Sequence, residues 1–487
     1  MLVLNGLDVP MARTQDGWHH AETKATIGSS YAFALEDGRI VGDPASRQQA
    51  GPLDGPSILT DPDSYAWQKT GWTGRPWEET IVYEIHIGTF TEQGTFRAAL
   101  ERLQHLAQLG FTAIEIMPLA HFPGDRGWGY DGVLQFAPHS AYGSPDDFKA
   151  LVDAAHGLGM MVFLDVVYNH FGPEGNYLGR YAPGFFRQGA STPWGDAIAY
   201  EKPEVRAYFI ENVLYWLRDF RLDGLRFDAI DQIEDGSDVH ILEQIARTVR
   251  NEIVGRHVHL ITENPANGTD LMADQPGGRY FQADWNDDFH HSATVTLSGR
   301  HPAYYTDYRG TPQELISALK WGYLYQGQHY YWQKQRRGRA ALDLDPKNFV
   351  TYLQNHDQIA NSVTGERVDR ATSAAELRAM TALMLLSPPT PMLFQGQEFG
   401  ASTPFFYFAD QMVGGISLGV GERGAVFFDV GTTARRRFLQ RDFFEPTFFG
   451  KGFDDARAAA GFAREFGLFS GEAVFGDVHH AAGRRRQ

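Results

Sequence analysis

From residue 81 onward, short apolar runs alternate with longer amphipathic stretches, the pattern of strands and helices taking turns along a chain. IVYEIHI (81 to 87) ends at Gly88. Apolar Phe96, Leu100, Leu103, Leu106 and Leu109 share one helical face, which predicts a helix over about 95 to 109, stopped by Gly110. AIEIMPL (113 to 119) is a second strand. Ser144 suits the N-cap of the next helix, with Pro145 at its first position. MVFLDVV (161 to 167) comes next, then a helix from 203 to about 220, then GLRFDAI (224 to 230) and VHLITE (258 to 263). YFQADW (280 to 285), FVTYLQ (349 to 354) and PMLFQ (391 to 395) complete eight strands. Eight strands with helical intervals predict an α/β fold, a (β/α)8 TIM barrel, over 76 to 410. A doubly wound open sheet is the alternative. The barrel is preferred because reactive side chains stand at the ends of several different strands.

The flanks read differently. Residues 1 to 75 lack helical periodicity, and turn formers recur in DPASRQQAGPLDGPS and TDPDS. They predict a short β-rich N-terminal module and a linker. A short insertion is expected at about 171 to 202. Residues 411 to 487 hold Gly-rich stretches and Phe pairs, read as a last barrel helix around 434 to 443 plus a C-terminal appendage.

At 487 residues the chain is long enough for a large barrel and a smaller module. With 60 acidic against 43 basic residues it carries a net charge of -17, which argues against nucleic acid and anionic membrane as partners. The first residues have neither a basic start nor a long apolar core, and no apolar run is long enough to cross a bilayer. The chain has no cysteine, which excludes disulfides and thiolate metal sites and favours a reducing compartment, so a cytoplasmic location is expected. No Gly-rich phosphate loop follows a strand, which removes the usual nucleotide readings. The loop after the third strand lacks a dense carboxylate cluster, whereas calcium takes about six to eight oxygens. Neither a metal nor a cofactor is expected.

Asp228, Glu263 and Asp357 each close or follow a predicted strand, so a barrel would bring them to one face. Cleavage of a glycosidic bond requires such a nucleophile and proton donor. Arg226 shares a strand face with Asp228 and would keep it ionised; the rival reading is a structural Arg–Asp pair. Glu263, partly screened from water, would have a raised pKa and serve as general acid; the rival is a solvated strand-end Glu. Asp357 beside His356 could hold sugar hydroxyls and favour an oxocarbenium-like transition state. Asp165, five residues before His170, reads as an anchor for loop backbone.

DVVYNH, GLRFDAI, ITEN and LQNHDQ, in this order, resemble the four signature segments of the α-amylase superfamily, glycoside hydrolase family 13. The resemblance implies a retaining mechanism on α-glucosidic bonds. It makes Asp228 the nucleophile, Glu263 the acid/base and Asp357 the transition-state stabiliser. It assigns Arg226, His170 and His356 to the sugar at the cleavage point and Asp165 to the first-segment aspartate. A retaining pair should lie roughly 5–5.5 Å apart. Asn169 matches a position that helps bind calcium in some members, although no obligatory calcium is expected here.

Further stretches are similar to the maltooligosyltrehalose trehalohydrolase family: DPASRQQAGPLDGPS, VYEIHIGTFTEQGTF, FPGDRGWGYDGV, NHFGPEGNYLGRYAP, TPWGDAI and DWNDDFHH. The similarity runs from about 43 to 410. VYEIHIGTF by itself is shared with branching enzymes. This family cuts the α-1,4 bond next to a terminal trehalosyl unit. The implied partner is maltooligosyl trehalose or a related α-1,4-glucan; oligomeric state is left open. Tyr130, in WGYDG, matches the tyrosine that stacks under the sugar. Asp287, Asp288, His290 and His291 are candidates for reading trehalose hydroxyls, with Trp194 as a stacking surface. A structural role for the His pair stands equally open. A metal role is disfavoured, because adjacent histidines on a strand or turn diverge. Two rivals remain: another α-glucan enzyme, such as a branching enzyme, using the same acids, and a glucan-binding protein with a dead site. The presence of all three acids argues against the latter.

Overall fold

Eight short runs, apolar on both faces, close into a parallel barrel: β1 (Val82–Ile85), β2 (Ala113–Ile116), β3 (Met161–Val166), β4 (Gly224–Phe227), β5 (His259–Thr262), β6 (Ala283–Trp285), β7 (Phe349–Thr351) and β8 (Thr390–Phe394), each paired with the next and β8 with β1. The computed structural model describes residues 1–410 apart from 16, 193–194, 274–279 and 363, and beyond 410 the backbone of four short strands. Alternate strand residues divide the core in two. Val82, Ala113, Met161, Phe163, Ile261, Ala283 and Met392 fill the barrel, while Tyr83, Ile114, Val162, Leu225, Leu260 and Leu393 pack outward under the helices.

Most of the expected helices form. Ser144 caps Pro145–Gly157 through a reciprocal box with Asp147, and Pro203–Arg218 and Ile241–Glu252 flank β4. The helix expected over 95 to 109 is instead two pieces, Phe96–Leu100 and Leu103–Leu109, the second ended by Gly110 in the left-handed region. Between β5 and β6 the described residues contain no helix. Pro265 and Gly268 stand where it would start, and both oppose helix.

The N-terminal module is antiparallel: Leu7–Val9, Leu2–Leu4, Ser30–Ala34 and Ile40–Val41 pair in that order, and Ser57–Ile58 adds to Ser30–Ala34. The following linker seals the N-terminal end of the barrel. Trp77 donates to the Lys347 carbonyl (2.7 Å) and packs on Phe163 and His259. Asp223, fully buried, accepts from Trp72 Nε1 (2.7 Å), His156 Nε2 (2.8 Å) and the Val162 amide (2.9 Å). Asp223→Ala would strand three donors, so it is expected to destabilise the protein by about 3–5 kcal/mol. Urea unfolding checks this; a wild-type midpoint would contradict it.

Beyond 410 the strands Met412–Val413, Ile416–Val420, Val426–Val430 and Arg435–Arg437 form an antiparallel sheet. Of the helix expected around 434 to 443, residues 435–437 therefore form a strand, paired with Phe427, Phe428 and Asp429, whose β-favouring run offers a ladder; the rest lies outside the described residues. No described helix is long and apolar enough to cross a membrane.

Candidate active site

The inward side of each strand changes character toward its C-terminal end. Above Val82, Ala113 and Phe163 come Glu84, Glu115 and Asp165, and above Gly224 come Arg226 and then Asp228. Register places Glu84 opposite Glu115 and Asp165 opposite Arg226. The apolar barrel core is thus capped by a buried charged layer, and the candidate acids stand on it.

Arg226 is the hub. One of its terminal nitrogens, Nη1, lies 2.5 Å from Asp165 and 3.1 Å from Asp228; Nη2 lies 2.8 Å from Glu263. Its guanidinium sits 4.2 Å from the Trp285 ring centroid. Asp228 also accepts from Asn169 Nδ2 (2.8 Å). The turn after β4 puts Ala229 at φ 40°, a left-handed conformation that costs a non-glycine residue roughly 1–2 kcal/mol. That turn aims the Ala229 amide at Glu263 Oε2, 2.8 Å away. Burial pushes the Glu263 carboxyl well above the usual carboxylate range; Arg226 opposes this, and the charges of Asp228 and Asp357 add to it.

Asp357 lies in the first turn of His356–Asn361, where the Asn355 side chain caps its amide (2.9 Å). Burial raises its carboxyl, against the pull of His356 and Arg226. His356 pairs through Nδ1 with Glu84 and lies through Nε2 at 2.8 Å from the Tyr130 hydroxyl and 3.4 Å from Asp357. Tyr130 donates to Asp165 (2.6 Å), and its ring stacks on His356. Only glycine fits at 129, because φ is 100° there and a Cβ would come within 2.1 Å of the Pro118 carbonyl oxygen. His170 binds the Tyr130 carbonyl through Nε2 (2.9 Å) and the Asn169 side chain through Nδ1.

The structure therefore brings Asp228, Glu263, Asp357, Tyr130, Asp165, His170, Arg226 and His356 into one cleft. Asp165 differs from its expected part: it holds the Arg226 and Tyr130 side chains rather than loop backbone, because its strand position faces Arg226. The DWNDDFHH segment also differs. Residues 287–291 begin a helix, Asp287–Ser298, rather than a strand or turn. Asp287 accepts from the Tyr352 hydroxyl (2.5 Å), and Tyr352 lies in the field of Glu263 and Asp357. Asp288 is turned away, fully buried, and accepts from Tyr308, Asn267 and the amides of Leu324 and Tyr325. His290 is buried between the Leu353 carbonyl (3.0 Å) and the Tyr305 hydroxyl (2.9 Å). His291 is buried among Tyr304, Tyr305 and Tyr308. Burial keeps both imidazoles neutral, the first near a pKa of about 3. Trp194 lies outside the described residues.

Glu84, Glu115 and Trp285 were missed by sequence reasoning. A lone Glu in an otherwise apolar strand, as in IVYEIHI and AIEIMPL, was the available signal. Asp231 was also missed; it shares the cleft with Asp228 and Asp287, whose charges assist burial in raising its carboxyl.

The chain matches the family model of the alpha amylase catalytic domain over residues 61–182 and 191–466. Fold and match together define a class, the α-amylase-type barrel glycoside hydrolases. Malto-oligosyltrehalose trehalohydrolase of Deinococcus radiodurans is 43% identical over 411 residues, covering 84% of this chain and 67% of its own. That of Saccharolobus solfataricus is 40% identical over 390 residues, covering 79% and 68%. A crystal structure of a Salmonella typhimurium protein described as an alpha amylase superposes with TM-score 0.83 at 50% identity, over 85% of this chain and 71% of that one. The chain belongs to the malto-oligosyltrehalose trehalohydrolase family. Solved pullulanases at 22% identity, with TM-scores of 0.60 and 0.63, share the fold.

Proposed function

We propose that the enzyme hydrolyses the α-1,4-glucosidic bond next to the terminal trehalosyl unit of maltooligosyl trehalose, releasing trehalose with retention at the cleaved anomeric carbon. The observation that carries the chemistry is the single Arg226 guanidinium bridging Asp228 and Glu263. It supports a nucleophile held against a guanidinium, beside a carboxyl that burial keeps protonated. Asp228 attacks the anomeric carbon while Glu263 gives its proton to the departing glycosidic oxygen, and trehalose leaves. Glu263, now a carboxylate, takes a proton from water. The water oxygen displaces Asp228, freeing the shortened maltodextrin. Asp357, His356, His170 and Tyr130 line the sugar whose ring flattens between these steps.

The substrate choice rests on the family's named activity. Within DWNDDFHH, Asp287 is the side chain that supports direct contact with trehalose. Asp288, His290 and His291 support the wall behind it. The rival branching reaction has a weaker likeness behind it, a Corynebacterium jeikeium branching enzyme at 27% identity. Separate incubations with maltooligosyl trehalose and with the plain maltooligosaccharide test the reading. Free trehalose should appear from the first, at a rate well above any cleavage of the second. Equal rates on both would reject it.

A further inference from the structure

Glu84 stands on β1, beneath the cleft, and none of the reaction steps above uses it. It is 1% exposed, and His356, from the short helix His356–Asn361 that follows β7, reaches it through Nδ1. The hydrogen-bond inventory around the imidazole narrows where its protons sit. Tyr130 gives its single hydroxyl proton to Asp165 at 2.6 Å; burial raises Asp165 to about 6, against the pull of Arg226 at 2.5 Å, so it is ionised above that pH. The same hydroxyl, 2.8 Å from His356 Nε2, can only accept from that nitrogen. Nδ1 meets the Glu84 carboxyl group, so a single proton lies between them. With that proton on the ring, both ring nitrogens donate.

We propose that Glu84 is a positioning residue of this active site: it holds His356 as an imidazolium, so that the opposite ring edge donates to Tyr130 and faces Asp357. The inference rests on the site described above but not on which α-glucan is cut. The other groups around His356 fit it. Asp357, at 3.4 Å, and Glu84 favour the charged ring; Arg226 opposes it; His86 lies near and is driven neutral by burial. Glu115, opposite Glu84 on β2, is held well above the usual carboxylate range by burial, so it adds no competing charge. Against its own burial, the His356 imidazole is raised to about 9.

The sign of the linkage follows. A base whose folded pKa is raised contributes stability below its unfolded value, near 6.5, and loses it as pH rises through about 9. In Glu84→Gln that proton is no longer held near neutrality. The stability difference between wild type and E84Q should therefore shrink as pH rises through about 9, with a slope approaching one proton per molecule. Denaturant titrations between pH 7 and 10 read it directly. E84Q should also lose roughly ten- to a hundredfold in kcat, with KM little changed, and Glu84→Asp should recover part of that loss. Glu115→Gln, an amide in place of a neutral acid, should leave the slope where it is in wild type. A stability difference independent of pH, or wild-type kcat in E84Q, overturns the proposal. Should E84Q fail to fold, His356→Gln reads the same proton: its difference from wild type closes through about 9 if the ion pair exists and is flat if it does not. The stability readout needs no substrate. The kcat readout uses whichever of the two glucans above turns over, so a failed substrate assignment leaves both interpretable.

Discussion

Asp228→Asn should fold and bind substrate but lose on the order of 10^4–10^6-fold in kcat, the range seen when a covalent nucleophile is removed from a constellation that acts as a unit. An amide cannot form the glycosyl ester. The binding surface survives, because Arg226 keeps Asp165 and Glu263 as partners after the change. Asn169 would then face an amide in place of a carboxylate. Calorimetric binding of maltooligosyl trehalose together with steady-state rates separates the two effects. Activity within tenfold of wild type would remove Asp228 from the role, and loss of binding in a folded variant would make it a structural residue.

Glu263→Gln should cost about 10^2–10^4-fold on natural substrate, the usual weight of general acid catalysis. The defect should be uneven. A glucosyl substrate whose leaving group needs no protonation, such as a fluoride, should still form the Asp228 ester and then stall, because no base activates water. Azide, which needs no base, should resolve that ester and give a glucosyl azide of retained configuration. The same anion supplied to Asp228→Asn would have to attack directly and give the inverted product. An inverted azide from Glu263→Gln would show that the two carboxylates have been assigned the wrong way round. The acid role tested in this way rests on the Glu263 carboxyl, whose pKa burial holds well above its ordinary range while the Ala229 amide and Arg226 bind one oxygen.

Much of this site was open to reading along the chain. Asp228, Glu263 and Asp357 stand after short apolar runs, and a strand followed by a catalytic side chain is a local pattern. Arg226 could be placed beside Asp228 because residues two apart share a strand face. The trehalose-reading candidates were harder. Asp287, Asp288, His290 and His291 look alike as a polar cluster, but they start a helix, and a turn of helix sends neighbours in different directions. Asp287 meets Tyr352 near the acids. Asp288, one residue on, points into the body of the protein and holds the amides of Leu324 and Tyr325.

Taken by itself, the sequence determined the eight barrel strands, favoured a closed barrel over an open sheet, and picked out the three carboxylates that crown it. Those features are periodic or local, and each can be recognised within a few residues. The tertiary structure alone decided which charges share a proton. Glu84 and His356 lie 272 residues apart in sequence, and Tyr130 and His356 lie 226 apart. Burial and the number of donors around each oxygen set these protonation states, and both exist only once the barrel has closed.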